Sequence, residues 1–157
     1  MALERIVLVA LVDRSGAVLL RNRDERSTTR PDRWSLPGGG AQPKESPEQA
    51  AVRIVAEQTG LTISPELRMA WRGRLPDPVA EVYLFATATT ATVADIPSDP
   101  VPGAIRRRGD YFLEFVPGPD VLSGRSFTPA SGYVLGDFLS SMHYRELAAR
   151  IDPYEIA

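Results

Sequence analysis

Cysteine is absent from this 157-residue chain, which excludes disulfides and thiolate metal centres and is consistent with the cytosol. Histidine is confined to His143, which stands between Met142 and Tyr144 in a helical C-terminal stretch and reads as a surface or core-edge side chain without a catalytic role. Of 18 basic residues only Lys44 is a lysine, and the formal net charge is −2. The chain therefore lacks the basic stripe of a general nucleic-acid binder, while nucleotides remain open as small-molecule substrates. Long apolar runs are missing too. Ile6 to Val12 spans seven residues, far short of the roughly 18 of a membrane helix, and with Glu4 and Arg5 before it reads as a strand rather than a secretory leader. These absences predict a cytoplasmic protein with no membrane association.

What is present is ordinary for a globular chain. A hydrophobic share of 43% with 24% charged residues, over this length, predicts one domain spanning residues 1–157 with a core of its own. Arg5 to Val12 suits a strand buried on both faces, and the turn Asp13-Arg14-Ser15-Gly16 leads into Ala17 to Arg21, which together predict a hairpin. Asn22 to Arg33, with Arg23, Arg26, Arg30 and Arg33, reads as a polar surface loop before extended Trp34 to Pro37. Val79 to Thr89 alternates as a strand, separated from Leu61 to Arg72 by a Pro- and Asp-bearing connection, Gly73 to Pro78. Ala91 to Gly109, with Pro97, Pro100, Pro102 and Gly103, predicts a long loop. Tyr111 to Val116 reads as a strand, Pro117 to Ser131 as irregular, and Tyr133 to Arg150 as a C-terminal helix.

The stretch Gly38 to Leu61 organises the rest. Ser46, Pro47 and Gln49 make a helix-starting signature of side-chain acceptor, preset φ and a polar residue three positions on, and Gly60 is the matching left-handed stop. Gly39, Glu45, Arg53, Val55, Glu57, Gly60 and Leu61 also fall at the spacing of a known signature: Gly, five residues, Glu, seven residues, then Arg-Glu-apolar-any-Glu-Glu-any-Gly-apolar. The segment resembles the Nudix box, and the Trp34-Ser35-Leu36-Pro37-Gly38-Gly39 entry is similar to Nudix proteins as well. Ile54 and Gln58 stand where that box has two of its three helix glutamates.

The resemblance implies an α/β Nudix fold, a mixed β-sheet sandwiched between helices. It implies a hydrolase acting on a nucleoside diphosphate linked to another group, assisted by Mg²⁺ or Mn²⁺, with a homodimer among the states such proteins adopt. It makes Glu57, Arg53 and Glu45 the candidate catalytic set, Arg53 and Glu45 bracing the loop on the helix as a structural ion pair. Glu57 with the Gln58 carbonyl is the remnant metal site, completed by a carboxylate such as Glu45, Glu81, Asp110 or Glu114, or else is a solvated face that has lost its metal. Gly38, Gly39 and Gly40 either let backbone amides approach a diphosphate or merely turn the chain. Arg106, Arg107 and Arg108 beside Tyr111 and Phe112 either clamp phosphates and stack a base or form an exposed charge run on a proline-rich loop. At about 100° per residue, positions 53, 54, 57 and 58 project to one side and Ala51, Val52, Val55 and Thr59 to the other, so Ile54 is expected to face solvent or a pocket. On that phasing, carboxylates restored at 54 and 58 would rebuild a chelating face. The alternative function is a silent Nudix-fold module that binds a nucleotide without cleaving it.

Overall fold

The computed structural model describes residues 3–23, 33–76, 79–97, 106–108 and 111–149, with the backbone alone at 23 and 106–108. The first strand, β1 (Glu4–Val12), is the spine. Its alternate side chains enter two separate cores: Leu8, Ala10 and Val12 on one face, Val7, Val9 and Leu11 on the other. A strand buried on both faces needs a continuous apolar run rather than alternation, which is what this stretch carries.

The hairpin expected after β1 closes by a single pair, Val12 opposite Val18, after which β2 (Val18–Arg23) diverges. The edge of β1 left open by this divergence is taken by the glycines: β4 (Gly38–Gly40) runs antiparallel to it, with Ile6 opposite Gly40 and Leu8 opposite Gly38. On its other edge β1 pairs in parallel with β6 (Val79–Ala88) along its whole length. β6 in turn pairs antiparallel with β5 (Arg68–Pro76), so Gly73 to Pro76 are strand residues rather than connection. The second arm is built on β2, which pairs with β3 (Arg33–Ser35) and with β8 (Tyr111–Val116). β3 carries β9 (Ser126–Phe127), and β8 carries β7 (Arg106–Arg108), so the arginine run is strand backbone rather than loop. The sheet is thus mixed and forked, with β1 and β4 on one prong and β2, β3 and β8 on the other.

Helix α1 (Pro47–Thr59) covers the face carrying Val7, Val9 and Leu11; α2 (Pro129–Leu139) covers the opposite one, with α3 (Met142–Ala148) packed alongside it. Helices on both faces of a mixed sheet make the α/β/α Nudix arrangement expected from the box. The single C-terminal helix expected from Tyr133 to Arg150 is two helices, because Ser141 turns out of the first and caps the second, accepting from the Tyr144 N–H at 3.2 Å. Tyr144 then donates its hydroxyl to the Gly16 carbonyl at 2.6 Å, tying α3 to the turn after β1. Among the described residues no helix is long and apolar enough to cross a membrane.

Candidate functional site

The fork leaves a cleft of about 470 Å³ between its prongs. β1 contributes Glu4, Ile6 and Leu8, and β4 contributes its three glycines. The other prong supplies Arg21, Arg33, Ser35 and Tyr111, and Leu36, Thr128, Ala130 and Ser131 close the end by α2. That volume lies within the range of small-molecule sites, and its lining mixes apolar walls with a few convergent polar groups. Arg21 stacks its guanidinium 4.2 Å above the Tyr111 ring, a cation–π pair presenting a flat, positively charged plate. Ser131, fully buried, accepts from the Leu36 N–H at 3.0 Å and so fixes the chain just before the glycines.

Behind the glycine strand stands α1, started and stopped by the local chemistry read from the sequence. Ser46 accepts from the Gln49 N–H at 3.1 Å while Gln49 accepts from the Ser46 N–H at 2.9 Å, and Gly60 ends the helix at φ +74°. Arg53 holds Glu45 through two hydrogen bonds of 2.8 and 2.9 Å, reaches Glu57 at 3.2 Å, and donates to the Gly40 carbonyl at 3.1 Å. The Arg53 fork and the Gln42 N–H, 3.0 Å away, together hold the Glu45 carboxyl down to about 2, well below its ordinary 4.5; burial opposes them. The same pairing raises Arg53 above its usual value. Gln58 takes up both backbone groups of Gly38: its carbonyl accepts from the Gly38 N–H at 3.0 Å and its amide donates to the Gly38 oxygen at 2.8 Å. The partners fix which end is which, since a backbone N–H can only donate and a carbonyl can only accept.

Ile54 contradicts the sequence expectation. It is 1% exposed, packed in the same core as Val7, Val9, Val55, Phe85 and Leu113, and faces neither solvent nor a pocket. The buried arc of α1 runs from Ala50 through Ile54, Ala51 and Val55 to Thr59, and at about 100° per residue Gln58 lies near its middle. Val52, expected on the covered side, is only half-buried, whereas Ile54 and Gln58 lie within the arc that the sheet covers.

The structure brings Glu45, Arg53 and Glu57 together with Gly40, and Gln58 together with Gly38. Gly38, Gly39 and Gly40 line the cleft beside Tyr111. Of the other carboxylates considered, Glu81 accepts from the Tyr83 hydroxyl at 3.0 Å, Glu114 lies on β8 opposite Leu20, and Asp110 lies outside the described residues, as do the side chains of Arg106, Arg107 and Arg108. The donor set does not fit a preformed Mg²⁺ or Mn²⁺ site. Ile54 has no donor atom and is buried, both polar atoms of Gln58 are engaged with backbone, Glu57 is bonded to Arg53, and no three His, Asp or Glu side chains converge among the described residues. Sequence reasoning missed Glu4, Arg21, Arg33, Ser35, Thr128 and Ser131 as cleft residues. The one local signal was Arg21, a charge closing the otherwise apolar run Ala17 to Leu20.

A family model described as NUDIX domain matches residues 2–108, more than half of the chain. Together with the forked sheet and the box helix, this shows that the chain belongs to the Nudix family. Diphosphoinositol polyphosphate phosphohydrolase 3-alpha of Mus musculus is 54% identical over 69 residues, which are 44% of this chain and 42% of that protein. The Homo sapiens 3-alpha protein is 35% identical over the same number of residues and shares. The chain thus spans less than half the length of these curated relatives. Among solved structures it is similar to the NUDIX domain of Shewanella oneidensis NrtR complexed with ADP ribose, with TM-score 0.61, 18% identity, and coverage of 87% of this chain and 86% of that one. It is also similar to the MutT protein from Methanosarcina mazei Go1, with TM-score 0.58, 20% identity, and coverage of 86% and 91%. Identities this low speak for a shared fold alone.

Proposed function

We propose that the cleft binds a nucleoside diphosphate linked to a further group, and that recognition is the main activity of this single Nudix domain of residues 1–157, the Nudix hydrolysis of the diphosphate being slow. The observation that carries the reading is the composition of the cleft: the Arg21–Tyr111 stack and Arg33 face a wall of bare glycine backbone across a space of about 470 Å³. A base offers a π-face to a plate of this kind, and guanidinium groups take phosphate oxygens in paired, charge-assisted hydrogen bonds. The glycines keep the wall free of side chains, so a diphosphate can come close to the strand. The ADP ribose in the NrtR domain supports the same ligand class for this fold.

Nudix enzymes generally use divalent metal ions such as Mg²⁺. The donors of this chain do not fit one in the free protein. A second reading, in which hydrolysis rather than recognition is the main activity, is favoured by Glu57, which keeps a box carboxylate on a side chain 62% exposed. The testing experiment is a thermal-shift panel of nucleoside diphosphate derivatives, ADP-ribose among them, beside a diphosphoinositol polyphosphate, with product release followed in Mg²⁺ and Mn²⁺. The proposal expects at least one nucleoside diphosphate derivative to stabilise the protein with little product release, and Arg21→Ala to weaken that binding about 10-fold or more. Stabilisation by the inositol compound alone, or rapid turnover of any member, would overturn it.

A further inference from the structure

Three residues of α1 each meet one of the three glycines. Gln58 closes a two-hydrogen-bond ring on Gly38, Ile54 places its Cδ1 3.8 Å from where a Cβ on Gly39 would sit, and Arg53 donates to the Gly40 carbonyl. The same three glycines form one wall of the cleft. We infer that positions 54 and 58, where the Nudix box has acids, form with Arg53 a brace that fixes the glycine strand, and that Gln58 is a positioning residue rather than a metal ligand.

The chemistry of the Gln58–Gly38 ring decides which side chain can sit there. A strand residue presents one donor and one acceptor on its free edge, and only a group with both can satisfy it. A primary amide does so at any pH. An ionised carboxylate is acceptor-only, so it can keep the bond from the Gly38 N–H but must set a negative oxygen against the Gly38 carbonyl. Protonated, the same group regains a donor and mimics the amide. Gln58 is half-buried, so a carboxylate there could relieve the mismatch by turning outward to water only by giving up its contact with Gly38. The brace thus makes the opposite forecast from the chelating-face reading, in which an added carboxylate at 58 gains from metal.

The test is the melting temperature of Gln58→Glu beside the wild-type protein, as a function of pH and of millimolar Mg²⁺ or Mn²⁺. A carboxyl stabilised in its protonated form has a folded-state pKa above its unfolded value. Its favourable contribution is therefore full at low pH and lost as pH rises through the folded pKa. The brace predicts a variant that melts roughly 3 °C or more below wild type near pH 7.5, is not raised by either metal, and closes the gap as pH falls towards about 4. The charged groups on the elements packed here, Arg53 and Glu57 on α1, Glu45 before it, Glu4 and Arg5 on β1 and Glu81 on β6, act on the added carboxyl only in the variant, the acids opposing its ionisation and the arginines favouring it. A variant as stable as wild type at neutral pH, or one selectively stabilised by Mg²⁺ or Mn²⁺, overturns the inference. If the variant does not fold, amide exchange in the wild-type protein decides: the brace expects the Gly38 N–H to be as protected as the β1 ladder, and exchange at the rate of an exposed amide refutes it. None of these readouts uses the cleft ligand, so the brace can fail while nucleotide binding stands, and the reverse.

Discussion

Single residues fix the join between loop and helix, and Arg53 carries most of it. Its guanidinium has four acceptor contacts, two on Glu45, one on Glu57 and one on the Gly40 carbonyl. Arg53→Ala would leave the Glu45 carboxylate, only 13% exposed, without its counter-charge, and should cost about 1–3 kcal/mol in denaturant unfolding. The pH dependence has a definite sign. Because Glu45 is depressed from 4.5 to about 2, its contribution is complete above the ordinary carboxylate value and drains away as pH falls through about 2. The stability difference between wild type and Glu45→Gln should therefore shrink between those values; a difference constant with pH would show that the charge on Glu45 is not what Arg53 holds. The Glu45–Arg53 pair was legible in the sequence, because the Nudix spacing brings together two opposite charges eight residues apart. The Gln58–Gly38 ring was not, since it depends on β4 joining the edge of β1.

At the scale of elements, the caps of α1 could be read and its phase could not. Capping residues act through local hydrogen bonds, so Ser46, Gln49 and Gly60 announce both ends without help from the fold. Phase depends on which stripe the sheet covers, and this helix buries two alanines that leave no strong apolar stripe to read. The correction has a measurable consequence. Ile54→Ala removes a large side chain from a core position at 1% exposure and should destabilise by about 2–5 kcal/mol, whereas a solvent-facing isoleucine would cost almost nothing. The glycine strand gives a sharper contrast. A Cβ on Gly38 would run into the Leu8 side chain and lie 2.9 Å from the Val7 carbonyl, while on Gly39 it would meet only Ile54 at ordinary contact distance. Gly38→Ala should accordingly lower the melting temperature by several degrees and Gly39→Ala by little, as differential scanning calorimetry would report. Equal effects of the two would mean that β4 does not sit against β1 as described.

For the whole molecule, the sequence pointed to the fold and hid the site. A doubly buried first strand, a glycine turn and a capped helix at Nudix spacing suffice for the α/β/α arrangement, and the family match over residues 2–108 agrees. The cleft exists because β1 and β2 part after one pair and take different partners, and nothing local to Asp13–Gly16 announces that parting. Apart from Gly38, Gly39, Gly40 and Tyr111, which the sequence singled out, its residues are gathered by long-range register rather than by motif. In the proposed function, this cleft recognises a nucleoside diphosphate derivative through its own side chains, without a preformed metal site. The most direct measurement is calorimetric titration of ADP-ribose, or of whichever nucleoside diphosphate derivative stabilises the protein most, into wild-type protein once with EDTA and once with Mg²⁺. Saturable binding of one ligand per chain is expected, with dissociation constants that agree within about threefold, a difference of well under 1 kcal/mol. Binding that appears only when Mg²⁺ is present would contradict it.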